Sequence, residues 1–268
     1  MGCKQSYEHR NTGAHYDCKG SVYIQVEQVI TERAGNTSKG VNALIGRHPE
    51  ITTVVQNFND RHTSLVLGER SEVLYGSGKI EEQLCGFTFR ISPRAFYQIN
   101  PKQTEVLYNL VREFACPQPN DRVLDAYCGT GTIGLILAPH VCQVIGVEIN
   151  PDAVRDAKEN AALNGVGNAR FYTADAGEYM VAAAERGEKI DTVIMDPPRA
   201  GSSRAFLNSL LRLAPPRVVY VSCNPETLAR DLGVLCRGGY KVRKIQPVDM
   251  FPHTEHVETV CLLSRKDK

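Results

Sequence analysis

No stretch of this 268-residue chain approaches the roughly 18 consecutive apolar residues that a membrane-spanning helix requires. The first residues, Met1 to Gly20, are polar and lack the apolar core of a secretory leader. A cytoplasmic location is therefore expected, with no membrane partner. Surplus charge is missing too: 31 Lys and Arg stand against 30 Asp and Glu, a net charge of +1. Any nucleic-acid contact must then come from a local basic face and not from bulk charge. Closely spaced cysteine pairs are absent. The nine cysteines, at positions 3, 18, 85, 116, 128, 142, 223, 236 and 261, are odd in number, widely spaced and without a CxxC. That argues against a disulfide framework or a zinc ribbon, and no metal site is expected. Most of the nine read as small buried apolar residues. Internal repeats and low-complexity tracts are also lacking. Apolar residues at 42% and charged residues at 23% match an ordinary globular chain, long enough for one large domain with a smaller companion.

What is present changes character near Pro93. Before it come short strand-like stretches: Val22–Val26, Ile51–Phe58, Thr63–Leu67 and Leu84–Ile91, rich in β-branched and aromatic residues. Turn chemistry at Asn59-Asp60, Gly76 and Gly78 separates them. Residues 1–92 thus predict a small β-rich domain with one helix. From 93 to 268 strand and helix alternate. Arg122–Ala126, Val144–Glu148, Ala169–Thr173, Thr192–Asp196 and Arg217–Ser222 are near-continuous apolar runs, as suits a parallel sheet covered on both faces. Asn100-Pro101, Asn150-Pro151 and Asn224-Pro225 each pair a capping side chain with proline at the first helical position. The first of these helices carries Val106, Leu107, Leu110, Val111 and Phe114 on its predicted buried face. Lys241–Val248 and Glu258–Ser264 are joined by a connection too short for a crossover helix, so they should pair antiparallel. The fold class is α/β: a Rossmann-like domain with a mostly parallel sheet and an antiparallel last strand.

The first of the parallel strands runs into Asp125-Ala126-Tyr127-Cys128-Gly129-Thr130-Gly131-Thr132-Ile133-Gly134, a GxGxxG at a strand–turn–helix junction. Glycine permits the tight turn and close approach of a nucleotide, and Glu148 at the end of the next strand can accept from ribose hydroxyls. Dinucleotide-dependent dehydrogenases share that pattern. Asp125 ahead of the glycines favours S-adenosylmethionine instead, because a carboxylate there attracts an ammonium and repels a pyrophosphate. The antiparallel strand pair at the end favours it as well. Asp175, after the third strand, either reaches the adenine or caps the following helix.

Asp196-Pro197-Pro198-Arg199 follows the fourth strand and Ser222-Cys223-Asn224-Pro225 the fifth. Both therefore lie at the carboxyl edge of the sheet, where open α/β sheets hold ligands. Cys223 directly precedes a capped helix N-terminus, a position that favours a thiolate, whereas the other cysteines read as structural. Glu258 opens the last strand, which this topology sets beside the fifth. A cysteine and a carboxylate beside a methyl donor point to covalent catalysis with a general base. His253 and His256 have no third ligand pattern and read as hydrogen-bonding loop residues.

Six stretches together resemble the RNA uracil-5-methyltransferases that modify tRNA and 23S rRNA: FRISPRAFYQINPKQTEVLY, VLDAYCGTGTIGL, VIGVEINPDAVRDAKENAALNG, DTVIMDPPRAG, VVYVSCNPETLARDL and VDMFPHTEHVETVCLL. They run in family order over about residues 87 to 265. AYCGTGTIG and DMFPHTEHVE are most similar to the bacterial 23S rRNA branch. The resemblance implies a class I methyltransferase domain, rRNA in preference to tRNA as partner, no DNA, and S-adenosyl-L-methionine as cofactor. It implies that Cys223 attacks C6 of the uracil and Glu258 removes the C5 proton. Gln98, Tyr127, Gly129, Gly131, Thr132, Glu148, Asp175 and Asp196 match cofactor-binding positions. Asp196 and Arg199 match substrate-binding ones. Arg90, Arg94, Phe96 and Tyr97 form a basic–aromatic group that either serves unstacked bases or is a solvated edge with core aromatics. Family members usually carry an iron–sulfur region, and many add an RNA-binding β-barrel; neither is visible in this sequence. The alternative function is a truncated RNA-binding or folding-assisting module that retains the cofactor pocket.

Overall fold

The computed structural model describes residues 14–16, 22–24, 37–58, 68, 70–98 and 100–265. The expected strand Thr63–Leu67, the Asn59-Asp60 turn, Cys3 and Cys18 lie outside those residues. The chain divides into two compact units, one up to Glu82 together with Ser92–Arg94, the other Gln83–Ile91 together with Ala95 onward.

The first unit contains β1 (Ala14–Tyr16) paired antiparallel with β2 (Val22–Ile24), then α1 (Thr37–Arg47), then β3 (Val54–Phe58) paired antiparallel with β4 (Arg70–Tyr75). Gly76 leaves β4 with φ of 74°, and a Cβ there would lie 2.1 Å from the Thr52 carbonyl oxygen, so only glycine fits that turn. The single strand expected over Leu84–Ile91 is in fact the end of β5 (Ile80–Leu84) and the whole of β6 (Phe87–Ile91). Cys85 and Gly86, both at positive φ, make a two-residue turn between them.

The second unit continues with α2 (Pro101–Ala115), β7 (Arg122–Ala126), α3 (Thr132–Leu137), β8 (Gln143–Glu148), α4 (Pro151–Leu163), β9 (Ala169–Thr173) and α5 (Ala176–Arg186). It ends with β10 (Thr192–Met195), α6 (Arg204–Leu213), β11 (Arg217–Ser222), α7 (Pro225–Arg237), β12 (Tyr240–Val248) and β13 (Glu258–Arg265). One seven-stranded sheet runs β12-β13-β11-β10-β7-β8-β9, with β13 antiparallel to both its neighbours and the remaining pairs parallel. This is the predicted α/β architecture. β7, β10 and β11 are buried almost throughout because helices cover both faces. The edge strand β12 is exposed from Lys241 to Pro247, and its lysines, bulge and proline discourage pairing with another chain.

All three Asn-Pro junctions cap as expected. Asn100, Asn150 and Asn224 accept from the backbone N–H of Gln103, Asp152 and Glu226 at 3.2, 2.9 and 3.0 Å. The buried stripe of α2 is rotated from the expected one. Thr104, Leu107, Tyr108, Val111, Phe114 and Ala115 face the core, while Val106 is 52% exposed. A 3.6-residue period through Leu107, Val111 and Phe114 selects Thr104 and turns Val106 outward. The cysteines also depart from expectation. Of the seven described, Cys128 and Cys261 are buried and Cys116 and Cys142 exposed. Cys116 is the left-handed C-cap of α2, and the Cys142 thiol donates to the Asp121 carbonyl at 3.1 Å. Among the described residues no helix is long and apolar enough to cross a membrane.

Candidate active site

β7 delivers the chain into the glycine loop. Tyr127, Gly129 and Gly131 have φ of 66°, 53° and 80°. Left-handed backbone at a tyrosine costs about 1 kcal/mol or more, and its ring is held against Phe206 at 5.5 Å between centroids. Below the loop there is no room: a Cβ on Gly131 would lie 2.9 Å from the Phe171 ring and 3.0 Å from Ala157 Cβ. Above it there is: a Cβ on Gly129 would meet nothing within 4 Å. Glu148 accepts the N–H groups of Gly129 at 3.2 Å and Asn150 at 2.8 Å, which fixes the carboxylate beside the loop. Asp125 is buried. Its Oδ2 accepts the Gly134 N–H at 2.8 Å, while Oδ1 is buried with no hydrogen-bond partner among the described residues. Thr132 is buried 3.1 Å from the Thr130 hydroxyl, and Gln98 is buried as well. Asp175 takes its capping option, accepting the Glu178 N–H at 3.0 Å.

Strand register brings the remaining residues to the same edge. Ala126, Met195 and Tyr220 stand in line across β7, β10 and β11, so Tyr127, Asp196 and the end of β11 emerge together. Val221 opposes Val260 and Ser222 opposes Thr259, so the next step sets Cys223 against Glu258. Arg199, exposed after the two prolines, contacts His256 with Nη2 3.0 Å from Nδ1. A guanidinium only donates, so Nδ1 of His256 is the acceptor. Arg90 and Phe96 are exposed, Phe96 to 73%. Arg94 belongs to the first unit.

The carboxyls and the thiol act on one another. Burial, then the charges of Glu258 and Asp125, push the Asp196 carboxyl up to about 8. Burial, eased by the Gly134 N–H and reinforced by the Glu148 charge, pushes Asp125 up to about 7. Burial raises Glu258 too. Cys223 is raised, by burial first and then by Glu258 and Asp196, against the lowering effect of its backbone hydrogen bond and Arg199. The helix N-terminus alone would favour a thiolate; two carboxylates and burial outweigh it.

These shifts have a consequence for stability. Unfolded Asp125 and Asp196 ionise near pH 4, whereas folded they hold their protons to about 7 and about 8. The folded chain binds more protons through that window, so stability is greatest on its acid side and falls as pH rises from about 5 to about 8. The melting temperature of the ligand-free protein should fall over that range, and Asp196→Asn should flatten the slope. A parent protein with no pH slope there would contradict the shared burial of these carboxyls.

Two polar residues that lie within the quoted stretches, but to which the sequence assigns no role, hold this edge together. Asn160, fully buried, accepts the Arg90 N–H at 2.7 Å and donates to the carbonyls of Arg90 at 3.2 Å and Thr130 at 3.3 Å, tying β6 to the glycine loop. Asp231, fully buried, lies in α7. The signal for both is a polar residue on an apolar helical stripe: Asn160 in line with Ala153 and Ala157, Asp231 with Leu228 and Leu235.

The chain is similar to known proteins in sequence and in fold. The family described as tRNA (Uracil-5-)-methyltransferase matches residues 72–266. An uncharacterized RNA methyltransferase of Bacillus cereus is 48% identical over 267 residues, 97% of this chain and 58% of its own. Another, of Enterococcus faecalis, is 46% identical over 228 residues, 85% of this chain and 50% of its own. The chain thus spans about half the length of these relatives. The crystal structure of Pyrococcus abyssi tRNA (uracil-54, C5)-methyltransferase in complex with S-adenosyl-L-homocysteine superposes with a TM-score of 0.73 at 32% identity, covering 91% of this chain and 56% of that one.

Proposed function

The chain belongs to the tRNA (uracil-5-)-methyltransferase family, and from that premise we propose that its second unit transfers a methyl group to carbon 5 of a uracil in RNA, through a covalent bond between Cys223 and carbon 6. The observation that carries this reading is the meeting of a thiol, Cys223, with two raised carboxyls, Glu258 and Asp196, at the sheet edge that holds the glycine loop.

The loop fits S-adenosyl-L-methionine. The orphaned, buried Asp125 Oδ1 calls for a donor or a cation, and the open face at Gly129 leaves room beside it. Gln98, Tyr127, Gly129, Gly131, Thr132, Glu148, Asp175 and Asp196 are the residues proposed to hold the cofactor, with Glu148 accepting from ribose hydroxyls. When bound, this cofactor supplies an electrophilic methyl group. The chain's own residues do the rest. Asp196 and Arg199 hold the uracil edge. The Cys223 thiolate forms the S–C6 bond, which moves an electron pair onto the C5–C4–O4 system and makes C5 a nucleophile. Once C5 carries the methyl group, Glu258 removes the C5 proton; the electron pair restores the C5–C6 double bond and the S–C6 bond breaks, freeing Cys223. A uracil inside a duplex conceals C6, so the target is a flipped or loop base, and the exposed Phe96 and Arg90 suit such a base.

The wording of the glycine loop and of the Asp249–Glu258 segment supports ribosomal over transfer RNA. The test uses 5-fluorouracil-containing transcripts of both RNAs. With fluorine at C5 no proton can leave, so an adduct that survives denaturation should accumulate in the presence of S-adenosylmethionine, preferentially with rRNA. No adduct with either RNA would overturn the reading; an adduct with tRNA alone would overturn only the choice of RNA.

A further inference from the structure

A buried polar knot joins the segment after β10 to the helix that follows Cys223. Asp231 Oδ2 accepts the Ser202 N–H at 2.9 Å and the Tyr220 phenol at 2.8 Å, while Oδ1 accepts Arg230 Nε at 2.8 Å. Burial and the Asp231 carboxylate keep the Tyr220 hydroxyl protonated, far above the usual phenol range, so it donates. Arg230 Nη2 reaches on to the Ala200 carbonyl at 2.9 Å. Asn224 Nδ2 and Thr227 Oγ1 each donate to the Arg199 carbonyl at 3.2 Å. Gly201 allows the approach: its φ is 76°, and a Cβ would lie 2.5 Å from Arg230 Nη2 and 2.7 Å from Asp231 Oδ2.

A fully buried carboxylate on a leucine stripe is a poor device for stability alone. An apolar residue would often serve as well, because desolvation offsets much of what the hydrogen bonds return. What the carboxylate adds is place. One group fixes Tyr220, three residues before Cys223, Ser202, three residues after Arg199, and the helix that starts beside the thiol. The tie extends to the glycine loop, since the Tyr127 hydroxyl donates to Ser202 Oγ at 3.4 Å.

We propose that Asp231 is a positioning residue: it fixes the Asp196–Ser202 segment against β11 and α7, so that a base held by Asp196 and Arg199 is presented to the Cys223 sulfur. This rests on the methylation reading above. Near-attack geometry is sensitive to displacements of about 1 Å, which cost on the order of a hundredfold.

The test compares the parent chain with Asp231→Asn and Arg230→Met, using 5-fluorouracil RNA at saturating RNA and S-adenosylmethionine. Asp231→Asn keeps the shape but loses the acceptor pair. The rate of adduct formation should fall at least about tenfold. Cofactor affinity, and alkylation of Cys223 by iodoacetamide followed by peptide mass spectrometry, should stay within about threefold of parent. Arg230→Met, a change at an exposed position that leaves Asp231 in place, should show the same split with a smaller loss. A general structural role would lower affinity, thiol reactivity and melting temperature together with the rate. That outcome, or an adduct rate within about twofold of parent in both variants, overturns the positioning role while leaving the chemistry standing. A parent chain that forms no adduct overturns the methylation reading, and the role of Asp231 with it.

Discussion

Cys223→Ala should abolish the covalent complex with 5-fluorouracil RNA and lower methyl transfer by at least about a thousandfold, since no other group at the site can add to C6. The side chain is half-buried at the end of β11, so removing one sulfur should cost the fold little. Loss of activity at an unchanged melting temperature is therefore the expected pair of results. The other cysteines serve as internal controls. Cys128 and Cys261 are buried, with thiols raised by burial, and Cys116 and Cys142 stand on the far side of the strands, near the turns that precede β7 and β8. A denaturation-stable adduct that persists in Cys223→Ala would sink the assignment, and peptide mapping of the cross-linked residue would show where it went.

Glu258→Gln should separate the two halves of the reaction. Glutamine has nearly the same shape at this buried position, but it cannot take the C5 proton. Turnover should fall by roughly a hundredfold to ten-thousandfold, the range spanned by general-base groups. Attack should not fall with it. Glu258 is the first of the charges that raise the Cys223 thiol, so its neutralisation lowers that thiol and favours the thiolate. On natural uracil RNA the variant should accumulate a methylated adduct that the parent resolves. Quenched time courses on denaturing gels check both parts. An unchanged turnover rate removes Glu258 from the base role; slowed attack contradicts its effect on the thiol.

Much of this arrangement can be read before any coordinates. The Asn-Pro junctions declare three helix starts because capping is local chemistry, and the apolar runs declare five strands, of which the edge strand β9 is buried only at Ala169 and Phe171. The connection after Val248 is too short for a crossover, which sets β12 and β13 antiparallel. Where local signals thin out, legibility ends. β4 is exposed along almost its whole length, so it shows no apolar alternation to read. Leu84–Ile91 looks like one strand until Cys85 and Gly86 are seen to turn left-handed. Val106 reads as buried because it is apolar, although the helical period rotates it outward. The raised thiol was beyond reach for a different reason: its opposing charges lie 35 residues after and 27 before Cys223 in the chain, and only strand register brings them near. Asp231 sits in a stretch, Ala229-Arg230-Asp231, that looks like an ordinary solvated helical face; only its place between Leu228 and Leu235 betrays it.

The placement of β13 between β11 and β12 also sets an order of events during synthesis. A chain emerging from its N-terminus can assemble the glycine loop, Asp196 and Cys223 as soon as β11 is available. β12, though made earlier than β13, has no strand to join among the described residues until β13 arrives and enters between it and β11. The strand that completes the sheet is the strand that delivers Glu258. On the proposed roles, a nascent chain presents the glycine loop and Cys223 well before it presents Glu258, the group proposed to resolve the adduct. The proposed release step is then the last to become possible among those that the sheet assembles, together with the cooperative closure of the sheet around β13.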